Sequence, residues 1–280
     1  MIISFENGRV GNQLFQYAAL KELFLNHRLV LLGYKELEQA LESIDAIVIE
    51  KDKLPQILLL FFYYVLIILS NLRIIGTIEE SRKKSIYVVN KSRGLFSIYL
   101  MKSSFFQHSY ILNIVKPDFE LNKSHISDAS EWLCGNVKNL NDSNLVFVNI
   151  RRGDYLNWPN PEYPAVLDKH WYIMAMDQMR EKVKNPIFLL LTDDLYYAKD
   201  CFGDQLDIMI SENDQLVDLA LMSQCKHGIL SASTFAWWGA WFSKEHSVNE
   251  GTYLAPKYWC GHRIKEWKPE GFITNWITYI

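Results

Sequence analysis

Two adjacent arginines, Arg151 and Arg152, directly follow an apolar run of the sequence and are the first candidates for chemistry. The run, residues 145–150, is rich in β-branched and aromatic residues and predicts a fully buried strand. Ligands of an open parallel sheet bind outside the carboxyl ends of its strands. Because a guanidinium matches phosphate oxygens, this strand end predicts a site for the diphosphate of a sugar nucleotide. The alternative is a surface turn in which Arg151, Arg152 and Asp154 pair with one another, since charged residues usually lie on solvated surface.

A glycine-containing loop near the start of the chain is a second candidate anion site. It follows a short apolar run predicted as a strand, and it precedes residues 14–25, whose apolar positions recur at helical spacing. A strand, a loop and a helix in this order bring backbone amides and a positive helix end to an anion. Gly8 and Gly11 let the backbone approach closely, and Asn12 and Gln13 add side-chain donors. The spacing is not a dinucleotide fingerprint, and a tight turn without a ligand also explains the glycines.

The sequence Ser231-Ala232-Ser233-Thr234-Phe235 is a third candidate site. Small hydroxyl residues at a helix start cap the helix and leave amides for an incoming phosphate. Capping alone is the simpler explanation, but this turn and Arg151 both follow predicted parallel strands, which favours a shared diphosphate. The large aromatic residues that follow, up to Phe242, are expected mostly to fill the core, with one or two facing a ligand.

Three carboxylates are further candidates. Asp218 lies about one turn inside a helix predicted at 215–225, where it accepts a hydrogen bond from a nucleobase or is simply solvated. Asp193 and Asp194 follow another predicted strand and resemble the acidic pair of a divalent cation site. Because the arginines already supply positive charge, we expect this pair to cap a helix or to bind Lys199. No metal site is predicted, and the seven histidines show no metal-ligand spacing.

Strands alternate with helices in the second half of the chain, which indicates an α/β fold with a parallel, doubly wound sheet. Strands are predicted at 145–150, 187–191, 207–210, 228–230 and 252–255, and helices at 168–184, 215–225 and 231–242. A boundary near residues 139–144 is expected to separate a domain of residues 1–140 from one of residues 141–280.

The composition narrows the class of protein. The chain has 280 residues, 49% of them hydrophobic, and a net charge of -3, so it lacks the polycationic surface of a nucleic-acid-binding protein. Its four cysteines are far apart and suit reduced thiols of a cytosolic protein. The first predicted strand begins at Met1, so we expect no cleavable signal peptide and a cytoplasmic location.

Residues 57–69 form a continuous apolar run with no charge between Leu54 and Leu72. A bilayer span needs about 20 apolar residues, so the run predicts a buried core helix. An interfacial helix is the second possibility and a true span the least favoured one. The run is flanked by cations that would suit anionic lipid at the inner face of the plasma membrane but are equally ordinary surface charges: Lys51, Lys53, Arg73, Arg82, Lys83 and Lys84.

Three separated motifs together resemble the bacterial α-1,2-fucosyltransferases of glycosyltransferase family 11. They are Gly8-Arg9-Val10-Gly11-Asn12-Gln13-Leu14-Phe15-Gln16-Tyr17-Ala18, Asn149-Ile150-Arg151-Arg152-Gly153-Asp154-Tyr155 and Ser231-Ala232-Ser233-Thr234-Phe235-Ala236-Trp237-Trp238-Gly239-Ala240-Trp241, and residues 221–227 add to the match. The resemblance implies a GT-B fold, with two Rossmann-like domains facing across a cleft, the first on the acceptor side and the second binding GDP-sugar. It also implies GDP-L-fucose as donor, inversion at the anomeric carbon and no metal or cofactor. The C-terminal tail is expected to pack back on the first domain.

The resemblance also implies roles for single residues. Arg151 would bind the donor β-phosphate, and Arg152 would support its motif. The remaining donor contacts would come from Ser233, Thr234 and Phe235 on the diphosphate, Asp218 on the guanine, and Gly11, Asn12 and Gln13 across the cleft. The family usually has His where this chain has Asn149, which leaves room for another GDP-deoxysugar such as colitose.

The expected reaction is attack of an acceptor hydroxyl on the anomeric carbon while GDP departs. Asp154, or else Glu162, is the candidate base, unless the acceptor loses its proton late or Asp154 only orients Arg152. The predicted function is transfer of L-fucose to the 2-hydroxyl of a galactoside or lipid-linked oligosaccharide in O-antigen or capsule synthesis. The alternatives are a colitosyl-type transferase, a non-catalytic sugar-nucleotide-binding protein, and a metal-dependent transferase that uses Asp193 and Asp194.

Overall fold

The chain forms two α/β units, Met1–Asn122 and Lys123–Ile280, in the computed structural model. The structure describes residues 1–50, 55–83, 86–114, 117–137, 144–246 and 250–280. The boundary expected near residues 139–144 falls, apart from Asn144, outside the described residues. The division comes earlier because helix α5 (Lys123–Asn136) packs on helix α8 (Gln215–Gln224) of the second unit. There, the Ser130 hydroxyl donates to Gln224 Oε1 at 3.1 Å.

The first unit has a mixed sheet in which β4 and β5 pair antiparallel and the other neighbouring strands pair in parallel. Its order is β3-β2-β1-β6-β4-β5. The elements are β1 (Ile2–Phe5), α1 (Val10–Leu23), β2 (Leu29–Leu32), α2 (Lys35–Ala40), β3 (Ile47–Ile49), α3 (Gln56–Asn71), β4 (Gly76–Lys83), β5 (Ile86–Ser92), β6 (Tyr99–Met101) and α4 (Ser109–Ile114). The glycine-containing loop therefore follows the carboxyl end of a central strand, as predicted.

The second unit has an entirely parallel sheet with the order β12-β11-β10-β7-β8-β9. Its elements after α5 are β7 (Asn144–Ile150), α6 (Lys169–Lys182), β8 (Pro186–Thr192), α7 (Leu195–Phe202), β9 (Ile208–Ile210), α8, β10 (His227–Ile229), α9 (Thr234–His246), β11 (Tyr253–Ala255) and β12 (Thr278–Tyr279). In chain order this is the 3-2-1-4-5-6 arrangement of a Rossmann fold, and the order reverses between β7 and β10. The predicted Rossmann-like architecture is confirmed. The C-terminal tail belongs to this second unit, where β12 pairs with β11. Its packing on the first domain stays a prediction.

The position of β7 in the core of the second unit explains why its sequence is continuously apolar. Val146, Phe147 and Val148 are fully buried, because helices cover both faces of the parallel sheet. Gly228 on β10 has to be a glycine, since a Cβ there would lie 2.2 Å from Phe147 Cζ. All four cysteines are free thiols.

Helix α3 contains the apolar run, and its environment differs from the expected one. Leu66 is buried and packs with Ile3, Leu32 and Leu100. The opposite side is exposed, and it includes Ile57, Leu58, Leu60, Phe61, Phe62, Tyr64 and Ile68. The prediction of a buried core helix is therefore wrong for most of this helix, because only one face reaches the sheet. No described helix combines the length and the hydropathy that crossing a bilayer requires.

Candidate functional site

The predicted arginine turn and the predicted hydroxyl turn meet at one edge of the second sheet. Strands β7 and β10 are neighbours in parallel register, so their carboxyl ends lie side by side. The Ser231 hydroxyl donates to Asn149 Oδ1 at 2.6 Å, and both side chains are buried. The Tyr155 hydroxyl, beyond the arginines, donates to the Ala232 carbonyl oxygen at 2.9 Å. Two hydrogen bonds thus join the turns at the point where the strand order reverses.

Arg151 is held between two carboxylates at this edge. Its Nη1 lies 2.9 Å from Asp193 Oδ2, and its Nη2 donates to Asp154 Oδ1. The Arg151 side chain is 18% exposed, so the guanidinium is partly withdrawn from solvent. The alternative interpretation of paired charges is therefore correct for Arg151 and Asp154. The same pairing fixes the guanidinium beside the strand ends, where an anionic ligand would compete with carboxylates already bound.

Arg152 is also anchored by its side chain. Its Nε donates to Asp194 Oδ2 at 3.0 Å, and its guanidinium carbon lies 3.6 Å from the ring centroid of Tyr197. Its backbone N–H donates to Asp193 Oδ1 at 2.8 Å. These contacts fit the supporting role that the resemblance implies, because they fix the conformation of the turn.

Asp193 and Asp194 have different roles, and the sequence predicted only the helix cap. Asp194 caps α7 by accepting from the Tyr197 N–H, as expected, whereas Lys199 pairs with Glu212 at 2.6 Å and not with the aspartates. Asp193 contacts the Arg151 guanidinium and accepts from the backbone N–H of Arg152, so it fixes the conformation of the arginine turn. The available signal was its position after β8, which is hydrogen-bonded to β7. Among the described residues, no three His, Cys, Asp or Glu side chains come together as a metal site.

The hydroxyl turn leads into α9. Ser233 is 7% exposed, its N–H donates to the Ser231 carbonyl at 2.7 Å, and Thr234 is the first helical residue. Phe235 is half-buried, whereas Trp237 and Trp238 are buried in the core. The expectation that most of the aromatic residues fill the core is confirmed for these two.

Asp218 is a buried carboxylate at the first turn of α8, and it is not on a solvated helix face. It is 7% exposed, and the Ser211 hydroxyl donates to its Oδ1 at 2.6 Å. Burial raises the pKa of Asp218 to about 7, although the hydrogen bond from Ser211 opposes the rise. Ser211 directly follows β9. The buried carboxylate therefore lies at the same carboxyl edge of the sheet as the two turns, and it titrates near neutral pH.

The two candidate bases lie in the loop between β7 and α6. Asp154 begins a short 3-10 turn and contacts Arg151, whereas Glu162 is exposed further along the loop. Tyr155 and Trp158 stack with ring centroids 5.0 Å apart, and Trp158 is 45% exposed. This exposed indole was missed at the sequence level, because nothing in its spacing separates it from a core tryptophan.

In the first unit, the glycine loop is braced by its own polar side chains. Gly8 has a φ of +83°, and a Cβ there would lie 2.1 Å from Asn12 Nδ2. Gln13 is 1% exposed, its Nε2 donates to the Gly8 carbonyl at 3.1 Å, and its Oε1 accepts from the Leu37 N–H at 3.0 Å. Asn12 Oδ1 accepts from Gln107. Gln13 thus holds the loop against α2, while Gly11 is buried within α1. A ligand contact by any of these three residues stays a prediction.

Comparison with known proteins relates the chain to sugar transferases. The sequence model of the family described as Glycosyl transferase family 11 matches residues 4–280. The chain is 24% identical over 165 residues to the O-antigen biosynthesis glycosyltransferase WbnK of Escherichia coli, covering 56% of this chain and 54% of that protein. It is 33% identical over 123 residues to an α-1,2-colitosyltransferase of Escherichia coli, covering 42% and 41%. It is 26% identical over 180 residues to galactoside α-(1,2)-fucosyltransferase 2 of Sus scrofa, covering 61% and 52%. The chain spans about half the length of these curated relatives.

Two solved structures share the fold. NodZ α-1,6-fucosyltransferase, co-crystallised with GDP, superposes with a TM-score of 0.52 at 14% identity, covering 85% of this chain and 90% of that one. POFUT1 in complex with GDP-fucose gives a TM-score of 0.55 at 12% identity, covering 90% and 97%. The predicted GT-B type, with two Rossmann-like regions, is confirmed at the level of fold.

Proposed function

The chain belongs to glycosyltransferase family 11, and we propose that it transfers L-fucose from GDP-L-fucose to the 2-hydroxyl of a galactoside. The observation that carries the proposal is the junction of β7 and β10, where Ser231 donates to Asn149 and Arg151 follows directly. Doubly wound sheets bind nucleotides at the point where the strand order reverses. The name of the similar porcine enzyme, a galactoside α-(1,2)-fucosyltransferase, supports the choice of sugar and linkage.

The chemistry of the leaving group suits this junction. The β-phosphate of GDP gains negative charge as its bond to the sugar breaks. In the proposal, the Arg151 guanidinium and the backbone N–H groups of the first turn of α9, which begins at Thr234, stabilise that charge. Loss of one such donor typically costs on the order of 3 kcal/mol of barrier. Arg152, fixed by Asp194 and Tyr197, keeps the turn in place.

The contact between Arg151 and Asp154 suggests how the base becomes available. When the β-phosphate takes the place of Asp154 on the guanidinium, the Asp154 carboxylate is released beside the reacting sugar. It then accepts the proton of the acceptor hydroxyl as that oxygen bonds to the anomeric carbon. The bond from this carbon to the phosphate oxygen breaks, and its electron pair leaves with GDP, which inverts the configuration. Asp193 stays on Arg151 throughout, and Glu162 is the second candidate for the base.

Asp218 is assigned to the guanine base. Guanine carries adjacent N–H donors, and a carboxylate is an acceptor-only group that can take both of them. Because Ser211 occupies Oδ1, the other carboxylate oxygen is the principal acceptor for the base. A uracil ring presents an acceptor-rich edge instead, so the same carboxylate disfavours UDP-sugars.

A different GDP-deoxysugar is the alternative donor. The similar α-1,2-colitosyltransferase supports it, as does Asn149, which lies beside the turn that would face the donor. The O-antigen name of WbnK supports a surface polysaccharide as the destination of the sugar. In the proposal the second unit binds the donor and the first unit serves the acceptor, without a metal.

A thermal-shift panel followed by turnover measurements tests the proposal. GDP at about 100 times its dissociation constant should add roughly 2.7 kcal/mol of stability, whereas UDP should add much less and EDTA should change nothing. Mass spectrometry with GDP-L-fucose, GDP-colitose and β-galactosides then identifies the donor. Stabilisation by UDP, or loss of turnover with EDTA, would contradict the assignment. Stabilisation by GDP without turnover of any GDP-sugar would instead support the non-catalytic alternative.

A further inference from the structure

Helix α3 carries an exposed apolar surface that the proposed function does not use. We define the α3 face as the exposed apolar residues Ile57, Leu58, Leu60, Phe61, Phe62, Tyr64, Ile68 and Leu72. Several of them are more than half exposed, with Ile57 at 76%, Phe61 at 67% and Ile68 at 56%. Single exposed apolar side chains are ordinary, but a continuous patch of them marks an interaction site.

The orientation of the α3 face is fixed by packing on the opposite side of the helix. On the opposite side of the helix, Leu66 is buried in the cluster formed with Ile3, Leu32 and Leu100, and Leu59 and Ile67 pack against the same cluster. The ring centroids of Phe5 and Tyr63 lie 5.0 Å apart. Packing against the sheet therefore determines which side of α3 faces outward.

The apolar surface continues beyond the helix. The Leu95 N–H donates to the Arg73 carbonyl at 2.9 Å, and the Phe96 N–H donates to the Ile74 carbonyl at 3.0 Å. These bonds place Leu95, which is 82% exposed, and Phe96, which is 60% exposed, beside the segment that follows α3. A helix and a neighbouring loop together thus present one apolar surface.

Two exposed cations lie at the end of this surface. Arg73 directly follows Leu72, and Arg93 lies two residues before Leu95. In the sequence, residues 81–117 contain seven lysines and arginines and no aspartate or glutamate, and one of them, Lys102, pairs with Glu79. Anionic headgroups attract such basic segments at a membrane surface.

We propose that the α3 face docks the protein onto an anionic lipid bilayer, with α3 lying in the plane of the interface. An apolar helix face at acyl-chain depth with cations at headgroup level is the arrangement of monotopic membrane helices. A second copy of the chain fits less well, because the α3 face offers few polar side chains to a partner. A protein interface also carries about one hydrogen bond per 100–200 Å², and the Tyr64 hydroxyl is the sole polar group among the α3 face side chains.

Flotation with vesicles tests the proposal. The full chain is mixed with vesicles of phosphatidylcholine alone, or of phosphatidylcholine with phosphatidylglycerol, and separated on a density gradient. The wild type should float with the anionic vesicles. The variant F61E/I68E should bind them about tenfold more weakly or worse. The matched control, Y196E/L206E, changes two residues of the second unit that are at least as exposed, at 83% and 103%, and should float like the wild type.

Removing the two cations separates the electrostatic contribution to membrane binding from the apolar one. The variant R73Q/R93Q should lose about fivefold in affinity for each removed cation on anionic vesicles, and added salt should reduce this difference. If F61E/I68E proves unstable, I57E changes a residue that is 76% exposed at the start of the helix, away from the buried cluster. Its binding should also fall.

The inference is independent of the proposed function, so GDP thermal shifts should be equal in the wild type and the α3 variants. A wild type that remains at the bottom of the gradient with both kinds of vesicle would overturn it. So would a wild-type dimer that F61E/I68E converts to a monomer without any vesicle binding, since that result would assign the α3 face to self-association.

Discussion

Asn149 and Ser231 join β7 to β10 through a buried hydrogen bond of 2.6 Å, at the position where the strand order of the second sheet reverses. Arg151 follows the first strand and the entry to α9 follows the second. The pairing of β7 with β10 places the arginine beside the helix entry, and a bond between two polar side chains that are 82 residues apart joins the strand ends.

Removing one side of this bond should weaken both the fold and the site. N149A leaves the Ser231 hydroxyl buried without its acceptor and should cost about 1–3 kcal/mol of unfolding free energy in urea titrations. N149A, S231A and the double variant form a cycle, whose coupling should reach about 0.5–3 kcal/mol. Strictly additive effects on stability and on GDP affinity would show that the bond does not position the two turns.

Replacing Arg151 should affect the reaction more than the fold. R151A should lower kcat about 100-fold or more, because a donor to the developing phosphate charge is lost. R151K keeps the charge but loses the planar fork of donors, so its kcat should lie between those of the wild type and R151A. The matched control is R180A in the same unit, since Arg180 also pairs with two carboxylates, those of Asp177 and Asp207. Equal losses in R151A and R180A, measured by steady-state kinetics, would argue for a purely structural effect.

Asp154 and Glu162 can be distinguished as bases. D154N should lower kcat by about 100-fold or more, while GDP still binds, because the amide no longer competes for Arg151. E162Q should retain most of the activity. The measurement is turnover with a galactoside acceptor, together with GDP affinity by calorimetry. If D154N remained fully active and E162Q did not, the two roles would be exchanged.

Asp218 makes donor binding depend on pH. Its pKa in the folded protein is raised by burial to about 7, so the folded state holds a proton there that the unfolded chain has already released. The contribution of this group to stability therefore decreases as pH rises from about 4 to 7, by up to the order of 4 kcal/mol. The carboxylate that guanine requires forms over the upper part of the same range, so GDP affinity should rise towards pH 8.

Three variants test this assignment. D218N should be more stable than the wild type at pH 8 and yet bind GDP more weakly at that pH. S211A should shift the rise in GDP affinity to higher pH, because the Ser211 hydroxyl stabilises the charged form. D214N should shift the rise in GDP affinity to lower pH, because the Asp214 carboxylate raises the pKa of Asp218. A wild-type affinity that does not change between pH 5 and 8 would remove Asp218 from the guanine site.

The strands and helices of the second unit could be predicted because they depend on short, local sequence patterns. Residues 145–150 are apolar on both faces of the strand, and Asp168 caps α6 at the expected place. Contacts between distant strand ends were not predictable. The bonds of Asp193 to the arginine turn span about 40 residues and follow from the register of β8 beside β7.

Which side of α3 is buried could not be predicted from the sequence, for a different reason. Its composition is apolar on all sides, so periodicity cannot tell which side meets the sheet. The buried position of Leu66 and the exposed position of Phe61 depend on the direction in which the helix crosses strands that come from other parts of the chain. Similarly, the sequence predicts Gln13 as a donor to a ligand, whereas its Nε2 donates to the Gly8 carbonyl and its Oε1 accepts from the Leu37 N–H.

The two carboxylates on Arg151 also have a consequence for selectivity among anions. Asp154 and Asp193 are attached to the chain, so they compete for the guanidinium at the effective concentration of a tethered group, about millimolar for a short flexible tether. Chloride or a single phosphate gains too few contacts to displace Asp154. A nucleoside diphosphate makes several contacts at once. We therefore expect the two carboxylates to make the Arg151 site selective for nucleoside diphosphates over common cellular anions.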